Sequence, residues 1–210
     1  MYKNPLKDKK IWFWVIGNTI GLSSGIITAF FSTYTYTLEY LPISGATCGF
    51  FLGFAQGLFL PKLFNQRIFA INNHILVKWI LATTFGMFIG GGITSLLGRY
   101  ISNPAVVLIS GVFITIISLS FAQGLVMRWE MKKIYSWLFA NLLGFLSSGT
   151  VGVFVYFLCT SIVVELTGGG LGALFVLIPV AGLSISLSTG LIYGSITGLF
   201  LLRLLNDKKV

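Results

Sequence analysis

The chain has 210 residues, of which 56% are hydrophobic and only 9% charged, and its mean hydropathy is +0.93. A soluble domain spends about a quarter of its residues on Asp, Glu, Lys and Arg, so this composition excludes a soluble globular protein and indicates a lipid bilayer. The net charge of +9 does not indicate nucleic-acid binding, because the basic residues lie between apolar segments, where anionic lipid headgroups are their natural partners.

Six apolar segments follow one another, and each can supply the roughly 20 residues that cross about 30 Å of hydrocarbon as a helix. They lie at about 11–32, 44–63, 77–97, 105–127, 134–160 and 171–204. The first follows a basic start but continues to about Phe31 without a cleavage site, so we predict a retained helix and not a signal peptide. The last is unusually long, and we expect it to tilt, project from the membrane or break near Pro179 and Gly182. The chain is predicted to be all-α, one integral membrane domain over residues 1–210.

The basic residues predict the orientation of these segments. In a six-span arrangement every Lys and Arg except Arg99 falls on the side of the two termini, while Glu39 and Glu165 fall on the other. The positive-inside rule then places both termini in the cytoplasm, facing anionic headgroups. The expected location is a bacterial inner membrane.

Two motifs repeat in the same order along the chain. Odd segments align on a tryptophan, in WVIGNTIGLSSG from Trp14, WILATTFGMFIG from Trp79 and WLFANLLGFLSSG from Trp137. Even segments align on a polar residue followed by Gly-Leu, in GFAQGLFLPK, SFAQGLVMR and SITGLFLLR. We infer three tandem hairpins, at about 11–64, 77–128 and 134–204. Because each hairpin holds two spans, all three have one orientation, and we predict a pseudo-threefold axis along the membrane normal.

These hairpins resemble those of multipass membrane proteins frequent in cyanobacteria. Proteins of that family carry tandem units of the form Trp-x-x-x-Asn-x-x-Gly, followed by Gly-x-x-Gly-x-x-Gln-x-x-x-Leu-Arg. The best match here is GVFITIISLSFAQGLVMRWEMKKIYSWLFANLLG, from Gly111 to Gly144. The third hairpin departs from the family by placing Thr197 where glutamine is expected. The resemblance implies a bacterial plasma or thylakoid membrane and brings no established activity.

The polar positions of the repeats are the candidate site. They are Asn18, Gln56, Gln123, Asn141 and Thr197. Helical spacing puts four of them, namely Asn18, Gln56, Asn141 and Thr197, on faces rich in glycine and other small residues. Distances from the flanking basic residues place the asparagines and glutamines at similar depth, in the cytoplasmic half of the membrane. Two interpretations compete: hydrogen bonds that hold neighbouring helices together, which we favour, or groups that converge on the axis and bind a neutral solute.

Nothing in the pattern indicates catalysis. No Asp, Glu, Lys or His lies convincingly inside a segment, and Cys48 and Cys159 lack metal-ligand spacing, so we predict no enzyme, no cofactor and no metal site. We expect a non-enzymatic membrane protein, with a small neutral-solute permease or channel-like component as the first hypothesis. A structural or assembly subunit of a membrane complex is the alternative, and a substrate-capture subunit of a vitamin importer is a further one. Other membrane proteins are possible partners, and nucleic acid is not.

Overall fold

The computed structural model describes residues 9–34, 41–63, 74–168 and 170–206, and within these ranges the chain is entirely helical in its regular structure. The helices are α1 (Lys9–Tyr34), α2 (Leu41–Leu63), α3 (Ile75–Tyr100), α4 (Pro104–Val126), α5 (Met131–Thr167) and α6 (Leu171–Asn206). Each coincides with one predicted apolar segment and extends it by a few residues at one or both ends. The all-α prediction is therefore confirmed for the described part of the chain.

Among the residues that the structure describes, five helices are long and apolar enough to cross a membrane. They include Leu41–Pro61, Ile75–Tyr100, Pro104–Val126, Met131–Thr167 and Val180–Leu204. The helix α1 is not among these five, and its side chains are described only as far as Gly25. The helix α6 is continuous through Pro179 and Gly182, so the predicted break is not found. With 37 and 36 residues, α5 and α6 are each about 55 Å long, against about 39 Å for α3.

Each helix packs on the next one in the chain, and α1 also packs on α6, so the six helices close into a ring. Glycines make this close packing possible. A β-carbon added to Gly21 of α1 would lie 2.8 Å from the Leu52 Cα of α2, and one added to Gly49 would lie 2.9 Å from the Thr84 Cα of α3. Gly190 of α6 approaches the backbone of Thr19 of α1 in the same way. Without side chains at these points the helix backbones touch, which is how membrane helices gain packing energy.

Three tryptophans occupy the middle of the ring near one end. Trp14, Trp79 and Trp137 are fully buried and belong to α1, α3 and α5. The Trp14 ring meets the other two edge to face, with centroids 6.2 and 6.3 Å apart. This geometry suits the quadrupoles of aromatic rings. The indoles therefore fill the interior at the end where α1, α3 and α5 begin.

A four-residue connection joins α4 to α5 at this same end of the ring. The helix α4 closes with Met127, and the Trp129 amide donates to the Gly124 carbonyl while the Arg128 amide donates to the Leu125 carbonyl, each at 3.0 Å. These two bonds form a Schellman cap. Arg128 has a φ of 51°, in the left-handed region that such caps usually give to glycine.

Candidate functional site

The five candidate side chains lie together in a layer beside the tryptophans. All of them are 0% exposed: Asn18, Gln56, Gln123, Asn141 and Thr197. We call these residues and the three tryptophans the polar belt. Since no member has exposed surface, the belt does not line an open passage in this conformation.

Gln56 joins three helices at the start of the belt. Its Nε2 donates to the Asn18 Oδ1 on α1 at 2.8 Å, and its Oε1 accepts from the Trp79 Nε1 on α3 at 3.0 Å. Asn18 in turn donates from Nδ2 to the carbonyl of Trp14, one turn earlier, at 2.8 Å. The sequence had placed Asn18 and Gln56 at similar depth, and the structure bonds them directly.

Gln123 has the equivalent position on α4. Its Oε1 accepts from the Trp137 Nε1 on α5 at 2.9 Å, and its Nε2 donates to the Thr83 Oγ1 on α3 at 3.0 Å. Thr83 is the residue that the alignment places in the asparagine column. The same Nε2 also lies 3.3 Å from the Gln56 Oε1, which links the two glutamines to each other.

The third hairpin keeps the indole bond and changes the other one. The Trp14 Nε1 on α1 donates to the Thr197 Oγ1 on α6 at 3.0 Å. Threonine is too short to replace the second bond of a glutamine, and here Tyr193 donates its hydroxyl to the Asn141 Oδ1 instead. Asn141 donates from Nδ2 to the Ser120 Oγ on α4 at 2.9 Å. Asn141 and Thr197 are therefore not bonded to each other as Asn18 and Gln56 are.

The indole bonds follow one rule around the ring. Each tryptophan donates to the polar position of an even helix in a neighbouring hairpin: Trp79 to Gln56, Trp137 to Gln123, and Trp14 to Thr197. Each such bond crosses from one hairpin to the next, whereas the Asn18–Gln56 and Thr83–Gln123 bonds lie within a hairpin.

The belt satisfies its own hydrogen-bonding groups. In the described part of the chain, one buried side-chain nitrogen or oxygen has no hydrogen-bond partner, and it is the Ser23 Oγ, outside the belt. Buried polar groups are costly unless paired, and more so in hydrocarbon. The donors and acceptors of the polar belt are therefore used in contacts between helices, and none is left directed at a ligand.

Sequence reasoning missed five contributors to the belt, namely the three tryptophans, Tyr193 and Ser120. The tryptophans served only to align the hairpins, and their role as donors was not foreseen. Tyr193 and Ser120 were also overlooked as partners of Asn141. Both had a signal, because Tyr193 lies one turn before Thr197 on the same face of α6, and Ser120 replaces the glycine one turn before Gln123.

Groups for acid–base or metal chemistry are sparse. Over the described ranges no cluster of three or more His, Cys, Asp or Glu residues is close enough to hold a metal ion. Comparisons of the chain with models of known families, with curated proteins and with solved structures found no match. The interpretation of the belt therefore depends on its geometry alone.

Thr197→Val is expected to lower the free energy of unfolding by about 1–3 kcal/mol, because valine keeps the shape but leaves the buried Trp14 Nε1 without an acceptor. Thr150→Val is the matched control. The Thr150 hydroxyl bonds only to the Leu146 carbonyl of its own helix, and its side chain is exposed, so we expect less than about 0.5 kcal/mol. Unfolding in mixed micelles measures both. Equal effects of the two substitutions would contradict the assigned role of the indole bond.

Proposed function

We propose that this chain is a non-enzymatic, six-span membrane protein that serves as a structural or assembly subunit of a membrane complex. Three hairpin repeats surround a pseudo-threefold axis along the membrane normal. Both termini are cytoplasmic, in a bacterial inner membrane, with anionic headgroups against the basic residues of that side. Residues 1–210 form one membrane domain.

The repeated bonds support the threefold arrangement. A duplicated hairpin should make the same contacts at aligned positions, and each tryptophan donates to the aligned polar residue of the adjoining hairpin. The bond from Trp14 to Thr197 joins the first hairpin to the last, as a closed rotational arrangement requires. The basic residues agree, since the exposed Lys10, Lys78 and Arg203 all lie at the tryptophan end of the ring.

The observation that carries the proposal is the closed polar belt. A solute moving along the axis would have to separate the Trp14 ring from the rings of Trp79 and Trp137 and break the hydrogen bonds of the amide side chains around them. Opening the belt would expose several buried donors and acceptors to hydrocarbon, each at a cost of about 1–3 kcal/mol. A permease or a substrate-capture subunit would present such groups to a solute, whereas here they bind one another. The geometry thus favours the structural hypothesis over passage along the axis.

The outer part of α5 has surface to offer a partner. Phe157 is 64% exposed and follows Lys133 by about 36 Å along the helix, more than the roughly 30 Å of hydrocarbon. Near or beyond the edge of the hydrocarbon, lipid tails do not cover an exposed aromatic side chain. Burial of this side chain against another protein would then be favourable. Phe85 of α3 is 60% exposed but lies only about 10 Å from Lys78 along its helix, at a depth where lipid covers it.

Two measurements test the proposal. Liposomes containing the purified chain are expected to admit glycerol and urea no faster than protein-free liposomes. In mild detergent extracts of native membranes, the chain is expected to migrate in an assembly larger than its own 23.0 kDa. Phe157→Ala is expected to disperse that assembly. Phe85→Ala is the control and is expected to leave the assembly intact. Solute entry that depends on the chain and is lost in Gln56→Leu would support the permease instead. A monomeric chain in those extracts would contradict the assembly role.

A further inference from the structure

The apolar part of α5 is longer than a membrane requires. No charged residue lies between Lys133 and Glu165, which are about 48 Å apart along the helix. The corresponding distance in α3, from Lys78 to Arg99, is about 32 Å and matches the roughly 30 Å of hydrocarbon. Membrane helices tilt by up to about 40°, and at that angle the apolar part of α5 would still span about 37 Å. The end of α5 near Glu165, which we call its outer end, therefore extends beyond the hydrocarbon.

The outer end of α5 is apolar on most of its circumference. Beyond Gly152, Val163 is the one residue of the fully described helix α5 that is buried. The exposed apolar side chains of this part include Phe154, Phe157, Leu158, Ile162, Val164 and Leu166. Lipid tails do not cover those side chains that lie outside the hydrocarbon, and an exposed apolar patch of this kind marks a contact with another protein.

Five exposed apolar side chains of α5 form one stripe along the helix. They follow two series with a spacing of seven residues, and the series are offset from each other by three or four residues. The members, which we call the α5 stripe, are Phe139, Leu146, Val153, Phe157 and Val164. A spacing of seven residues pairs two helices in a left-handed coiled coil. The stripe does not face α6, because Gly152 meets Thr189 of α6 from another side of the helix.

A second copy of the chain fits this stripe in length, charge and area. A twofold axis along the membrane normal places each stripe against the same stripe of the other copy, so both apolar surfaces reach the same height outside the hydrocarbon. The stripe carries no charged residue, so this pairing brings no like charges together within it. With Tyr135 and Phe154 beside it, the stripe offers seven exposed side chains. At roughly 100 Å² each, these cover on the order of 700 Å² per copy, close to the area of a standard interface.

We propose that two copies of this chain pair side by side in one membrane, with the α5 stripe of one copy against the α5 stripe of the other. The inference rests on the proposed assembly role and names a second copy as the first partner. The two α5 helices are parallel and cross at about 20°, the angle at which helices pair along a stripe of this spacing. At the outer end the pairing removes the rings of Phe154 and Phe157 from water, which lipid does not do at that height.

Energy transfer between donor-labelled and acceptor-labelled copies of the purified full chain in liposomes tests the pairing. We expect wild type to form dimers, and Phe157→Ala to raise the dissociation constant at least tenfold. Phe85→Ala removes an equally exposed ring from α3 and should leave it unchanged. A chain that stays monomeric in liposomes overturns the inference, as do equal effects of the two substitutions. If that monomeric chain still migrates in a larger assembly in native extracts, the partner is another protein and the assembly role stands.

Disulfide cross-linking tests which side of α5 makes the contact. Val164→Cys and Ile162→Cys are compared in a chain that also carries Cys48→Ala and Cys159→Ala. The two positions are two residues apart and similarly exposed, at 46% and 49%, but Val164 is on the stripe and Ile162 points to the opposite side of the helix. After oxidation with copper phenanthroline in liposomes, we expect at least fivefold more linked dimer from Val164→Cys. Equal yields, or a higher yield from Ile162→Cys, would overturn the assignment of the stripe as the interface.

Discussion

Gln56→Leu is expected to lower the free energy of unfolding by about 2–4 kcal/mol, the largest effect of any single polar substitution in the belt. Leucine is similar in size but removes the acceptor of the Trp79 Nε1 and the donor to the Asn18 Oδ1. Each orphaned group costs about 1–3 kcal/mol when buried. The lower part of that range applies if the helices separate slightly and find other partners, as happens for interhelical bonds in membranes.

Unfolding of the purified chain in mixed micelles measures this effect, with Leu58→Ala as the control on the same helix. Leu58 is 50% exposed and should change stability little. A double-mutant cycle with Asn18→Leu isolates the amide pair, and its coupling energy should be about 0.5–2 kcal/mol. The structural interpretation fails if Gln56→Leu unfolds like wild type while chain-dependent movement of a neutral solute is lost. That result would return Gln56 to the role of a binding residue.

The same substitution at two aligned glycines is expected to have opposite effects. Gly91→Ala should destabilise the chain by about 1–3 kcal/mol, because the new methyl group would overlap the Leu41 carbonyl and backbone atoms cannot move aside easily. Gly149→Ala should be neutral or should stabilise by up to about 1 kcal/mol, since it meets no neighbour and alanine favours the helix more than glycine does.

Melting temperatures of the two variants, measured side by side in one detergent, provide the comparison. The pair controls itself, because residue type, substitution and position in the aligned pattern are the same. A loss of stability of similar size at Gly149 would mean that α4 and α5 meet as closely as α2 and α3 do. The open space beside Gly149 would then not exist in the folded protein.

The helices themselves were predictable from the sequence. Their lengths follow from apolar composition, and their ends follow from charges and small polar clusters, such as Asn103, whose side chain caps α4 by accepting from the Ala105 amide at 3.0 Å. The columns of Asn18 and Gln56 were also visible, because helical spacing places each within a stripe of glycine. Those signals are local and depend on neighbours within one or two turns.

The partner of each polar group was not predictable in the same way. Which even helix accepts the hydrogen bond of the Trp14 indole depends on how the hairpins are arranged in space. The acceptor, Thr197, lies 183 residues further along the chain. The hydrogen bonds of the third hairpin differ because the threonine side chain is shorter than that of glutamine. Thr197 cannot reach Asn141, and Tyr193 bonds to Asn141 in its place. Ile116 of α4 aligns with Gly49 and Gly190, which touch the backbone of the neighbouring helix. Only when those backbone contacts are known does the size of Ile116 indicate that α4 and α5 cannot approach as closely.

The ring has a consequence for the order in which the chain is made. Gln56 emerges 38 residues after its partner Asn18, so this bond can form as soon as the first hairpin is in the membrane. Trp14 must wait for Thr197, 183 residues later. Until then its Nε1 lacks this acceptor, and the face of α1 that will receive the glycines of α6, at Val15 and Thr19, stays uncovered. The ring therefore closes only after α6 has been made, and a chain that lacks α6 already differs at its first helix.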